Sequence, residues 1–150
     1  MVRHAPMMLR VAADVKRKMR RVTPQMRFTV DDRDDVVEAV FEGWELRTQS
    51  DVLRWRSAVE RELARFGRKV DLLINLDGLV VRPGVSSFFG EHRSAVLATY
   101  TKRSFRYGGD SATRTTVFTT SVLTGAAANV YPSRAAALAA LKAARAASGQ

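Results

Sequence analysis

From residue 70 onward the chain repeats one pattern: a short apolar segment, a turn, then a stretch of helical length. Val70 to Leu76 is a nearly unbroken apolar run closing on Asp77-Gly78, and Phe105-Arg106-Tyr107 closes on Gly108-Gly109. Asn129-Val130-Tyr131 closes on Pro132-Ser133, and an alanine-rich helix follows. Short buried strands separated by helix-length segments specify an open, largely parallel sheet. The Val/Leu/Leu/Ile content of Val70–Leu76 suits a central strand covered on both faces.

The rest of the chain fits that frame. Arg27–Val30 and Val36–Gly43 read as two strands joined by the acidic turn Asp31 to Asp35, a hairpin. That Asp cluster lacks the spaced ligands and trailing Glu of a calcium loop, so a solvated turn is expected. Thr48 or Ser50 can cap a helix whose Val52, Trp55, Val59, Leu63 and Phe66 recur at steps of three and four, and Gly67 closes it. A second helix follows Arg82-Pro83-Gly84 and carries Val85, Phe88, Phe89, His92, Val96, Leu97 and Tyr100. Residues 110–124 are ambiguous. Thr115 to Thr120 is strand-like in composition, whereas Asp110-Ser111 makes an N-cap and Val117 or Phe118 with Val122 fits one helical face. The helix is favoured, because a crossover also explains the short strand after it. Ser133 caps the last helix. The expected fold class is therefore α/β: one domain over residues 26–150, with a mixed sheet of about four to five strands (an N-terminal hairpin, then parallel strands) and about four helices.

Charge is distributed unevenly within the net +10. Residues 1–25 carry seven basic groups against one Asp, residues 26–91 ten against thirteen acidic groups, and residues 92–150 eight against one. A basic N-terminal extension is thus expected, helical or disordered, with Lys16, Arg17, Lys18, Arg20 and Arg21 opposite a stripe of Met8, Ala12, Val15 and Met19. Such an arm can meet nucleic acid or an anionic membrane. No apolar run reaches the ~18 residues of a membrane-spanning helix, and no signal peptide is evident, so a cytoplasmic protein is expected.

Reactive constellations are sparse. The chain has no cysteine and two histidines, His4 and His92, far apart in sequence. A metal site needs at least three suitably spaced ligands, so no metal is expected. There is no Walker A sequence, dinucleotide fingerprint or nucleophile elbow. Neither a cofactor nor an enzyme is expected. Gly108-Gly109 ahead of a helix, flanked by Arg106 and Arg114, is a candidate anion-binding turn, although a strand-to-helix turn needs glycine in any case. Lys102 to Tyr107 interleaves cations with aromatics, as a nucleic-acid-binding strand does.

Asp71-Leu72-Leu73-Ile74-Asn75-Leu76-Asp77-Gly78-Leu79 and the closing segment from Asn129 to Leu141, taken with the order of elements, resemble the STAS family of anti-sigma-factor antagonist-like domains, in particular its SpoIIAA-like members. The resemblance covers roughly residues 26–145. It implies a non-catalytic regulatory or scaffold module that binds a protein partner, often under control of a phosphorylated hydroxyl at the start of the second helix. The aligned position falls on Gly84 or Val85, without a hydroxyl, so the usual switch is degenerate. Ser86 and Ser87 stand just beyond it as phosphorylation candidates or as plain helix caps. Val85, Ser86, Ser87, Phe88 and Phe89 are the expected partner surface, and the runner-up function is binding of nucleic acid or anionic membrane through the arm and a basic face of the C-terminal half.

Overall fold

A computed structural model describes residues 23–124 and 128–149. Its main sheet has five strands in the order β1 (Gln25–Asp31), β2 (Val36–Glu42), β4 (Val70–Asn75), β6 (Thr101–Tyr107) and β7 (Val130–Tyr131). β1 and β2 are antiparallel, with Phe28 opposite Ala39, and every later pairing is parallel. The hairpin turn forms as the Asp run implies. Asp31 Oδ1 accepts from the Arg33 and Asp34 amides at 3.1 and 3.4 Å, and Asp35 adopts a left-handed φ of 51°. Four helices complete the fold: α1 (Gln49–Ala64), α2 (Ser86–Tyr100), α3 (Ser111–Thr124) and α4 (Arg134–Ala147).

The alternation of side chains along the strands divides the core in two. Val37, Ala39, Phe41, Leu72 and Ile74 face α1, α2 and α3, where they meet Val52, Trp55, Val59, Leu63, Phe89 and Val96. Val36, Leu73 and Phe105 face the opposite way onto α4, where Ala137 and Leu141 are fully buried. Each such side chain contributes about 1.5–3 kcal/mol of burial, so the stripe on α1 alone outweighs its weak propensity. Thr48 starts α1 through a reciprocal capping box with Asp51, and Gly67 ends it at φ 64°. Ser133 Oγ caps α4 by accepting from the Ala136 amide at 3.1 Å.

A second, smaller sheet was not anticipated. β3 (Trp44–Leu46) and β5 (Leu79–Val81) pair in parallel beyond the carboxyl ends of the main strands. Gly78 makes this junction: a Cβ there would sit 1.7 Å from the Phe41 carbonyl oxygen, and its own carbonyl accepts from the Trp44 amide at 3.0 Å. No helix among the described residues is long and apolar enough to cross a membrane.

Candidate functional site

The surface expected at the start of α2 is mostly interior. Val85 and Phe89 are 6% and 1% exposed and belong to the core, which removes them from any docking face. Phe88 is half-buried against His92, ring centroids 4.5 Å apart, and the guanidinium of Arg56 donates to His92 Nδ1 at 2.9 Å. Neither serine caps the helix. Val85 occupies the N-cap without a side-chain bond, because Pro83–Val85 forms a short 3₁₀ turn that leads directly into α2. Ser86 Oγ donates to the Pro83 carbonyl at 2.8 Å, so only Ser87 presents an exposed hydroxyl at the first turn.

The glycine turn after β6 does not gather the four residues suggested for anion binding. The Gly109 amide donates to Asp77 Oδ1 at 2.8 Å, which places a carboxylate of the chain itself where an anion would sit. Gly108 and Gly109 have φ of 72° and 83°, and a Cβ on Gly108 would lie 2.5 Å from that same carboxylate oxygen. The glycines are required by backbone and crowding. Arg114 donates to the Gly109 carbonyl at 2.7 Å, and Arg106 points into the core at 1% exposure.

The basic, aromatic β6 is likewise consumed by the fold. Phe105 lies under α4. Asp71, itself 8% exposed, accepts from Arg103 at 3.2 Å and from Arg145 at 2.9 Å, and Arg145 also donates to the Asp34 and Asp35 carbonyls. Tyr107 donates to Glu38 Oε1 at 2.8 Å, and Arg134 holds the same carboxylate at 2.9 and 3.1 Å. Burial, followed by this hydrogen bond to Glu38, pushes the Tyr107 phenol up to about 12. Burial opposes ionisation of Glu38, but Arg134 and Tyr107 together outweigh it and hold the carboxyl below its ordinary value. These cations lock α4 onto the sheet instead of forming a continuous basic face. The arm residues Lys16, Arg17, Lys18, Arg20 and Arg21 lie outside the described residues. Among the described residues no group of three or more His, Asp or Glu is arranged to hold a metal ion.

The feature that stands out is α3. Asp110 caps it by accepting from the Thr113 amide at 2.7 Å, which settles the ambiguous segment as a helix. Its orientation inverts the usual amphipathic order. Thr113, Thr116, Val117, Thr120 and Ser121 face inward, whereas Phe118, Val122 and Leu123 are 64%, 77% and 73% exposed. Of the two expected partners of Val122, Phe118 shares its face and looks outward with it, whereas Val117 is buried at 1% exposure. The hydroxyls of Thr113, Thr120 and Ser121 tolerate burial because each finds an acceptor. Thr120 donates to the Thr116 carbonyl at 2.8 Å, Ser121 to Val117 at 2.6 Å, and Thr113 bridges β5 by donating to the Leu79 carbonyl and accepting from the Val81 amide. Close packing reinforces the choice: α2 meets α3 at Gly90, where a Cβ would be 2.5 Å from Thr120 Cβ. Only small inward residues permit that approach.

Behind α3 lies a mainly apolar cavity of about 30 Å³. Phe89, Val96, Ile74 and Val117 contribute to its wall, together with the buried guanidinium-bearing side chains of Arg93 and Arg106. Arg93 Nη2 donates to Ser121 Oγ at 3.0 Å, tying α2 to α3, and Arg106 donates to Ser104 Oγ at 2.6 Å and to the Ala128 carbonyl. Nothing in the sequence separates these two arginines from surface cations except their phase, in step with Phe89 and Val96 on α2 and with Ser104 on β6. Scanned against protein-family models and compared with curated proteins, the chain finds no match.

Proposed function

We propose that the chain is a non-catalytic, STAS-like regulatory or scaffold domain that docks a protein partner through the outer face of α3. One observation carries this reading: Phe118, Val122 and Leu123 are turned to solvent on a helix whose threonines and serine are turned inward. A helix that buries hydroxyls and exposes an aromatic and two aliphatics gives up burial free energy in the isolated chain, and a partner restores it. Three well-placed apolar side chains are enough to anchor an interface, since a few residues carry most binding energy.

The chemistry of α3 favours protein over the other surfaces. A helix lying in a membrane interface sets Lys and Arg on its polar face, but the polar face of α3 is packed against α2 and β5. Its one basic residue, Arg114, is bonded to the Gly109 carbonyl. Nucleic acid, which is gripped through phosphates, has little to hold on this face. Ser87, on the exposed first turn of α2, is where a phosphate could adjust docking, because negative charge is favoured at a helix N-terminus.

The test is photo-crosslinking of the full chain with benzoylphenylalanine at position 118 or, separately, at position 88. A specific protein adduct from position 118 is expected. Protein adducts only from position 88, or binding accounted for by anionic vesicles or DNA with the steep salt dependence of an electrostatic contact, would sink the proposal.

A further inference from the structure

The two edges of the main sheet are unlike each other. On one side β7 is two residues long, and β6 beside it carries Lys102 where the register with β4 shifts. Short strands, lysines and irregular registers all discourage another strand from adding. On the other side β1 runs for seven residues without proline, glycine or a break in its register with β2. The Phe28 carbonyl accepts from Arg65 at 3.5 Å, a long bond from outside the sheet. The backbone groups of Met26, Phe28 and Val30 therefore point away from β2, toward the open edge. Val30 is 46% exposed on the same face as buried Phe28, and Arg27 and Thr29 are exposed on the other face, which Asp31 shares.

This strand is complementary to itself when reversed. Two copies laid antiparallel about a two-fold axis at Thr29 set Phe28 opposite Val30, Thr29 opposite Thr29 and Arg27 opposite Asp31. These are an aromatic–β-branched pair, a Thr–Thr pair and an opposite-charge pair, the kinds that stabilise cross-strand neighbours. The same register joins the outward backbone groups of Phe28 to those of Val30 and covers the exposed Val30 side chain. An axis at Phe28 instead would set Arg27 against Thr29 and lose the charge pairing. Asp31 Oδ1 serves its own turn and Oδ2 lies 3.6 Å from Arg134, so Arg27 of the second copy shares Oδ2. Each β1 also starts beside the Asp31–Asp35 turn of the other copy, which suits a chain whose residues 1–25 carry seven basic groups against one Asp. We propose that β1 is a homodimer interface, at which a second copy of this chain adds its own β1 antiparallel and makes one continuous sheet. The outer face of α3 takes no part in it.

The experiment is cross-linking of the full chain, which has no cysteine of its own, so a single introduced thiol reports one position. Thr29→Cys puts two thiols at the axis, where the Cα atoms of a non-hydrogen-bonded pair lie about 4.5 Å apart, within disulfide range. Arg27→Cys puts them about 13 Å apart along the strands, out of range. With oxidised glutathione at micromolar protein, Thr29→Cys forms a covalent dimer and Arg27→Cys stays monomeric. Thr29→Cys combined with Phe118→Asp cross-links as well as Thr29→Cys alone, which separates this interface from the docking face of α3. In sedimentation equilibrium the parent is a dimer, and Val30→Lys weakens it by about tenfold by setting a lysine on the edge. Should Val30→Lys fail to fold, the two cysteine variants decide the matter. Equal cross-linking at positions 27 and 29, loss of the cross-link with Phe118→Asp, or a parent that sediments as a monomer at every concentration overturns the proposal.

Discussion

Replacing Gly90 with alanine sets two known effects against each other at one atom. Gly90 lies inside α2, where alanine is ordinarily better by about 1 kcal/mol on helix propensity. The added Cβ, however, would meet Thr120 Cβ at 2.5 Å and Cγ2 at 2.6 Å, whereas ordinary contact begins near 3.4 Å. Thr120 has little freedom to retreat, since its Oγ1 is bonded to the Thr116 carbonyl at 2.8 Å. About 0.9 Å of separation must therefore come from moving α3 away from α2, and overpacking of this kind costs about 1–3 kcal/mol. The clash wins, and Gly90→Ala is expected to lose about 1 kcal/mol net, a midpoint fall of about 2–4 °C. Thr120→Ala removes the Cγ2 contact but retains the Cβ at 2.5 Å and so relieves only part of the clash, whereas Thr120→Gly removes both. A cycle of Gly90→Ala with Thr120→Gly should then show a favourable coupling of about 1 kcal/mol in urea unfolding with constant m. A Gly90→Ala protein stabilised by the full propensity term, or a cycle with no coupling, would refute the packing that fixes the orientation of α3.

Other consequences are as direct. Asp71→Asn removes the charge that holds Arg103 and Arg145, and should cost about 3 kcal/mol in urea unfolding, the lower end for breaking a buried ion pair. Gly78→Ala, with its Cβ 1.7 Å from the Phe41 carbonyl oxygen, should abolish the β3–β5 pairing, seen as loss of amide-exchange protection at the Trp44 amide. Glu38 has a lowered folded pKa, so its stabilising effect is present above its ordinary value of 4.5 and fades as pH falls through the lowered one. Glu38→Gln should flatten the acid limb of the stability profile. The same variant should bring the Tyr107 phenol, raised to about 12 in the parent, to a lower pH in an ultraviolet titration.

Much of the architecture is legible because local and global preferences agree. The spacing of Val52, Trp55, Val59 and Leu63 marks both the helix and its buried side, and Val70 to Asn75 is apolar enough to identify the middle of the sheet. Thr48, Asp110 and Ser133 behave as caps because short side chains need only local geometry to do so. The mini-sheet escapes notice because Trp44–Leu46 and Leu79–Val81 are three residues each, below the length at which alternation becomes a signal. Which face of α3 is buried is not legible in the sequence for a deeper reason. Val117 or Phe118 with Val122 marks an apolar face but not its direction, which the 2.5 Å approach at Gly90 decides by admitting only small residues, and threonine hydroxyls can bond their own helix. Arg106 is a related case: a cation in a strand reads as surface until Ser104, Ala128 and the cavity are assembled around it. The expected docking residues Val85 and Phe89 fail because the 3₁₀ turn at Pro83 rotates the start of α2 into the core.

The docking role of α3 is tested most directly by measuring the affinity of the protein crosslinked at position 118 for three chains: the parent, Phe118→Asp and Phe88→Asp. Circular dichroism and unfolding midpoint should be unchanged for Phe118→Asp, because the side chain is 64% exposed. Phe118→Asp should weaken binding by about a hundredfold, as for loss of an aromatic anchor, while Phe88→Asp should leave it within about threefold. A partner that binds Phe118→Asp as tightly as the parent contradicts the account.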